Sequence, residues 1–169
     1  GPRGFSSSYS MKLREGGAFG DIYGKAFSRD ENGQIMYETE GDKKGLPIVE
    51  GDGNLIKVGN ANPDFMLSWG NRLSYKNVTL SFLIDGRFGG DLLSQTQADM
   101  DMFGVTKATA DARDAGFVDL EGHKIEDVKS FYKNIVGGRA GVTEYYMYDA
   151  TNIRLRELAL AYNLPEKWI

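Results

Sequence analysis

The sequence predicts an all-β fold built on an antiparallel sheet. Three observations carry this. Four stretches of about ten residues alternate apolar and polar side chains. The connections between them are sharply unequal in length. Gly, Tyr and Phe are plentiful (22, 9 and 9 of 169 residues) while Pro numbers only 4, a composition that suits strands and turns better than a helical bundle.

The first stretch lies near residues 5–14. Phe5, Ser7, Tyr9, Met11 and Leu13 fall on one face, opposite Ser6, Ser8, Ser10, Lys12 and Arg14. A long connection near 15–64 follows, in which Glu31-Asn32-Gly33-Gln34 carries the Asn-Gly signal of a hairpin turn. The second stretch, 65–76, places Phe65, Leu67, Trp69, Leu73 and Tyr75 together, interrupted only by Asn71. After a tight Lys76-Asn77 turn the third, 78–88, resumes with Val78, Leu80, Phe82, Ile84 and Phe88.

A second long connection, 89–149, predicts short helices over 92–103 and 107–114. It also predicts a helical face of Ile125, Val128, Tyr132 and Ile135 closed by Gly137 at C′. The fourth stretch, 150–164, alternates Leu158, Leu160, Tyr162 and Leu164 against Glu157, Ala159, Ala161 and Asn163. Ile153 and Leu155 sit on the opposite parity, so a β-bulge, or a change of strand, is expected near Arg156–Glu157.

Two readings of this alternation stay open on physical grounds. A transmembrane β-barrel wall would set strands of this length across the bilayer, with short periplasmic turns and long extracellular loops. Lys76-Asn77 and Leu164-Pro165 would then face the periplasm, and 15–64 and 89–149 the outside. Leu67, Trp69, Leu73, Leu80, Phe82 and Ile84 would face lipid, and Arg72, Lys76, Asp85 and Arg87 the lumen, touching plug or solute or pairing within the wall. The other reading is a soluble, secreted β-rich glycan-binding module, whose sheet would alternate in the same way.

Other classes are disfavoured. A net charge of −4 provides no basic field for nucleic acid. Cysteine is absent, which removes disulfide frameworks and thiol catalysis. No apolar run reaches the roughly 18 residues of a membrane helix, and the first residues lack the apolar region of a signal peptide. No catalytic or cofactor-binding constellation emerges. His123, the single histidine, sits in a polar loop stretch. Gly137-Gly138-Arg139-Ala140-Gly141 lacks the spacing of a phosphate-binding loop. Asp30-Glu31-Asn32-Gly33 and Asp52-Gly53-Asn54 read as turns and not as calcium loops, so no metal is expected. Tyr145, Tyr146 and Tyr148 read as an outer aromatic girdle, with stacking on sugar rings as the alternative.

Specific strings separate the two readings. Tyr148-Asp149-Ala150-Thr151 followed by Ile153-Arg154-Leu155-Arg156-Glu157-Leu158 and Leu164-Pro165 closely resembles a segment of SusC/RagA-type TonB-dependent transporters. Tyr75-Lys76-Asn77, Leu80-Ser81-Phe82-Leu83-Ile84-Asp85-Gly86-Arg87 and Gly89-Gly90 resemble a hairpin of that family, and Gly59-Asn60-Ala61-Asn62-Pro63-Asp64 the lead-in to it. Gly20-Asp21-Ile22-Tyr23-Gly24 and the segment from Phe27 to Gly33 resemble its preceding loop.

The resemblance covers nearly the whole chain. It implies part of a barrel of roughly 22 strands, about four of them here, in the outer membrane of a Gram-negative, Bacteroides-like bacterium. It implies import of glycan oligosaccharides or peptides with a SusD-like surface lipoprotein, energised by a TonB complex through a plug outside these residues. It makes Arg154, Arg156 and Glu157 scaffold between wall and loop, and it implies neither enzymatic activity nor a cofactor.

Overall fold

The structure, a computed structural model, describes residues 9–165. Along the chain run β1 (Tyr9–Met11), β2 (Asp21–Gly24), β3 (Ala26–Phe27), β4 (Val49–Glu50), β5 (Ile56–Asn60), β6 (Phe65–Tyr75) and β7 (Val78–Phe88). They are followed by β8 (Asp91–Leu93), α1 (Gln95–Met102), α2 (Lys107–Ala115), β9 (Val118–Leu120), β10 (His123–Ile125), α3 (Val128–Ser130), β11 (Met147–Asp149) and β12 (Asn152–Tyr162). The chain divides into two compact units, Gly1–Ala61 with Asp91–Tyr148 and Asn62–Gly90 with Asp149–Ile169.

The second unit is a three-stranded antiparallel sheet in the order β12-β7-β6. Among the described residues it does not close. Each strand has 11 residues. The β6–β7 hairpin pairs without a slip from Phe65↔Phe88 to Tyr75↔Val78. Its two-residue turn holds Lys76 at a φ of 51°.

The first unit contains both long connections. Phe27, Ile35 and Leu46 from one share a core with Ile125, Val128, Phe131, Ile135, Val136, Val142 and Tyr146 from the other. Phe131 and Val136 are completely buried. Segments that the sequence presents as two separate loops thus fold together around one apolar centre.

The stretch near 5–14 departs from its expected wall strand. Residues 5–8 lie outside the described residues, and Tyr9–Met11 pair with β2, from Tyr9↔Gly24 to Met11↔Ile22. The strand ends because the chain turns at once: Gly17 N donates to Arg14 O at 2.9 Å, with Gly16 at a φ of 76°. The Arg14 guanidinium lies 4.3 Å from the centre of the Tyr23 ring.

The Asn-Gly hairpin forms where the sequence places it. Asp30 Oδ1 accepts from Asn32 N and Gln34 N, each at 2.9 Å, and Gly33 takes a φ of 79°. The carboxylate of Asp30 is therefore committed to closing a turn. The β9–β10 hairpin turns through Glu121 and Gly122, both at positive φ (51° and 87°), the requirement of a type I′ turn.

Helices α1 and α2 occupy their expected segments. Ser94 and Thr106 cap them through their side-chain oxygens, and Gly116 closes α2 at a φ of 78°. The third helical segment differs from its expectation. Ile125 belongs to β10, and the helix starts at Asp127, whose carboxylate accepts from Ser130 N at 2.9 Å. After Ser130 the chain widens into a π-helix over Phe131–Val136.

Gly137 is extended (φ −77°, ψ 160°) and is not a left-handed cap. Its N–H reaches back five residues to Tyr132 O at 3.0 Å. A Cβ there would collide with that same oxygen and lie 2.9 Å from Met102 Cα. Close backbone approach, rather than positive φ, requires the glycine.

The aromatic run is also placed differently. Tyr146 is 1% exposed and Tyr145 half-buried, while Tyr148 is exposed. Tyr145 packs edge-on against Phe27, Phe131 and Tyr146. Tyr145 and Tyr146 are therefore core residues and not an outer girdle. Tyr146 Oη donates to Asp101 Oδ2 at 3.1 Å. The buried Asp101 also accepts from Gln97 Nε2 at 3.0 Å and Thr106 Oγ1 at 2.6 Å. Burial, reinforced by the Asp101 charge, pushes the Tyr146 hydroxyl far above the usual tyrosine range, so it remains a donor.

An ionic hub ties the two connections at their polar side. Arg29 forms a two-pronged pair with Glu121 at 2.8 and 2.9 Å and reaches Glu144 Oε1 at 3.0 Å. Glu144 Oε2 in turn accepts from Phe27 N at 2.8 Å. The Arg29 guanidinium holds the Glu121 carboxyl below its ordinary value of 4.5.

Two outcomes follow from these contacts. Tyr146→Phe leaves the Asp101 carboxylate one bond short, at an expected cost of ~1–3 kcal/mol; amide hydrogen exchange of α1 in the full protein measures it. Because Glu121 titrates lower folded than unfolded, its contribution is present above about pH 4.5 and disappears as pH falls through the depressed folded value. Thermal unfolding followed below pH 5 should show that loss, and the Glu121-dependent part of it should vanish in Arg29→Gln.

Candidate functional site

The feature most open to a functional reading is the long sheet with its two unlike faces. Register brings Leu67, Trp69 and Leu73 of β6 onto the same face as Leu80, Phe82 and Ile84 of β7. These are the six residues expected to face lipid. β12 adds Ile153, Leu155, Leu158, Leu160 and Tyr162 to that face, through Ile153↔Gly86, Leu155↔Ile84, Leu158↔Phe82, Leu160↔Leu80 and Tyr162↔Val78.

The chain can do this because of one extra residue. Pairing jumps from Leu155↔Ile84 to Glu157↔Leu83, leaving Arg156 without an opposite number. This is the bulge that the parity switch predicts. Were Arg156 paired in regular alternation and not bulged out, every side chain beyond it would point to the other face. The apolar face is exposed in this chain: Leu67 is 62%, Leu158 65% and Leu160 75% accessible. Phe65 stacks on Phe88 at 4.7 Å between ring centres, and Trp69 meets Phe82 edge-on at 5.2 Å.

The opposite face carries a row of polar side chains that bond across the strands. Asp85 Oδ2 accepts from Arg156 Nε and Nη2 at 3.0 and 2.8 Å, and Asp85 Oδ1 from Ser68 Oγ at 2.7 Å. Ser81 Oγ donates to Glu157 Oε1 at 3.2 Å, Ser74 and Thr79 bond at 3.0 Å, and Arg154 Nε donates to Asn152 Oδ1 at 2.7 Å. The residue expelled by the bulge thus finds its charge partner on the neighbouring strand.

The expected polar residues divide. Asp85 joins this network, and Arg72 and Arg87 share its face by register, opposite Ser81 and Met66 respectively. Lys76 stands in the hairpin turn, its Nζ 5.3 Å from the centre of the Tyr75 ring, so it belongs to the strand end and not to the polar row. Arg154, Arg156 and Glu157 all lie in β12 and bond within the sheet. Sequence reading missed Ser68 and Ser81; the signal available was their small-polar place on the alternating face.

The segment before β12 has a definite role. Asp149 Oδ1 accepts from Thr151 N at 2.7 Å, and Thr151 Oγ1 from Gly89 N at 2.9 Å. Ala150 N donates to Gly90 O at 2.8 Å. Gly89 and Gly90 take φ values of 75° and 82°, and a Cβ on Gly90 would stand 2.9 Å from Asn62 O. The Asp-Ala-Thr turn and the Gly-Gly pair fix where β12 begins against β7. Among the described residues, no cluster of His, Asp or Glu could hold a metal ion, and no helix is long and apolar enough to cross a membrane.

An antiparallel sheet with one apolar and one hydrogen-bonded polar face defines a mostly-β fragment. No known family profile matches the chain. It is similar to TonB-dependent receptor P3 of Formosa agariphila, 26% identical over 181 aligned residues that cover 99% of this chain and 17% of the receptor. The chain spans about a sixth of the length of the curated relative it matches. This similarity supports the TonB-dependent receptor family.

Inserting one alanine after Glu157 should turn Leu158, Leu160 and Tyr162 onto the polar face, whereas deleting Arg156 should keep them on the apolar face, because Leu155↔Ile84 would then be followed directly by Glu157↔Leu83. In the full-length protein the insertion should lower the amount of protease-resistant folded protein, whereas the Arg156 deletion and Arg156→Ala, which both leave the pairing beyond Glu157 in place, should retain it.

Proposed function

We propose that this chain is part of the wall, with two extracellular loops, of a TonB-dependent outer-membrane importer of the SusC/RagA type. The observation that carries this reading is the continuous apolar face on three strands of 11 residues. Eleven residues at about 3.3 Å each extend ~36 Å. Tilted by roughly 40°, they project to about 28 Å, close to the roughly 25 Å apolar band of outer-membrane barrels. The exposed Leu67, Trp69, Leu158 and Leu160 are where a lipid-facing band would need them.

In this reading the row of Ser68, Asp85, Arg156 and Glu157 faces the lumen. Its members pair with each other, which keeps charge on the interior side of the wall without leaving it unpaired. Transport, and not catalysis, is the activity. The whole protein takes up glycan oligosaccharides or peptides, works with a SusD-like surface lipoprotein and draws energy from a TonB complex through its plug. Its location is the outer membrane of a Gram-negative, Bacteroides-like bacterium, surrounded by outer-membrane lipid, with no nucleic-acid partner.

Two measurements test this. Leu158→Arg, near mid-strand, should cost ~2–4 kcal/mol of barrel stability if it meets the bilayer midplane, and should lower the amount of folded receptor in isolated outer membranes. Ala159→Arg on the opposite face should leave that amount unchanged. Equal behaviour of the two would overturn the assignment of faces. Deletion of the complete gene, followed by growth on defined glycans and peptides, identifies the solute; growth unaffected on all of them counts against import.

A further inference from the structure

The first unit contains a cavity of about 240 Å³ between α1, α2 and the π-helical segment. Its floor is buried and mostly apolar: Val128 and Tyr132 are 8% and 7% exposed. Its rim carries Phe103, 73% exposed, and three cations, Arg113, Lys129 and Lys133. One carboxylate, Asp101, also borders the space. Both of its oxygens are taken, by Gln97 and Thr106 on one side and Tyr146 on the other. Three positive groups against one fully bonded carboxylate make a local positive field in a chain whose net charge is −4.

These cations are not consumed by the fold. Among the described residues, none of the three takes part in a salt bridge. The Lys129 charge acts on the nearby exposed Asp127 without forming an ion pair with it. Arg113 is held by a bond from Nη1 to Gly104 O at 3.0 Å, and a Cβ at position 104 would stand 2.9 Å from the same Nη1. Its guanidinium is thereby positioned at the rim with donors to spare, and a fixed fork of N–H groups is the preferred partner of a carboxylate. The volume lies below the roughly 300–1,000 Å³ of pockets for drug-sized ligands, so it suits one sugar ring or one amino-acid residue and not an oligomer.

We propose that this cavity binds the carboxylate-bearing end of a solute, with the carboxylate against Arg113, Lys129 and Lys133 and the ring or side chain over Tyr132 and Phe103. An acidic sugar and a peptide C-terminus share this chemistry. The proposal deepens the importer reading by naming a solute class, and its test reads binding without transport, so failure of uptake and failure of the site are separable.

The experiment is calorimetric titration of the purified full-length receptor in detergent with galacturonate, with N-acetylphenylalanine, and with methyl galactoside as the neutral control. Saturable binding of one or both acids, at least tenfold tighter than the neutral sugar, is expected, and the acid that binds identifies the source. Lys129→Gln/Lys133→Gln should weaken it at least tenfold. That variant changes only exposed side chains, so the fold is kept; Arg113→Lys, which retains charge without the fork, should weaken it as well. Absence of saturable binding for both acids, equal binding of the neutral sugar, or binding unchanged in the double variant each overturns the proposal.

Discussion

A strand repeats every two residues, so an apolar face persists only while the count stays even. β12 breaks that count once: Ile153 and Leu155 are odd-numbered, Leu158, Leu160 and Tyr162 even-numbered. The bulge that takes Arg156 out of the pairing is the constraint on which the long sheet depends. It absorbs the parity change, keeps five apolar side chains of β12 aligned with those of β6 and β7, and sends the Arg156 guanidinium to Asp85. A bulge exposes backbone groups and adds twist. Here the ion pair and the Ser68 bond to the same carboxylate offset part of that disruption, so the polar face is organised around the irregularity that makes the apolar face possible.

Much of this was legible beforehand. Period-two alternation locates β6, β7 and β12, because side chains on a strand with two unlike environments must alternate. The bulge is readable from the same arithmetic. Asn32-Gly33 announces its turn because few other residue pairs tolerate the backbone it needs, and α1 and α2 show through their caps, Ser94 and Thr106. Asp85 and Arg156 could be named in advance, but the sequence does not say that they pair, since 71 positions separate them.

What escaped has physical reasons too. Tyr145 and Tyr146 form an aromatic run without period, and aromatics without period suit a core and a membrane interface equally. Only the edge-on cluster with Phe27 and Phe131 decides. Gly137 looked like a helix cap because glycine after a helical run usually is one. After the π-helical segment Gly137 is extended, and glycine is needed there for clearance from Tyr132 O and Met102. Tyr9–Met11 alternate like a wall strand, yet pairing partners and not alternation determine which sheet a strand joins, and theirs is β2. Arg29, Glu121 and Glu144 are unremarkable charged residues in sequence and meet only when the two connections fold against each other.

That shared centre bears on how such proteins diversify. Phe27, Ile35 and Leu46 come from one connection, and Phe131, Val136 and Tyr146 from the other. Grafting a single connection from a distant homologue would strip its partner of apolar contacts worth about 1.5–3 kcal/mol for each large side chain uncovered. Recombination that respects stability must therefore move both connections together, along with the intervening hairpin. The heritable module in this region is a matched pair, and it should vary by substitution on its surface or by exchange of the whole pair.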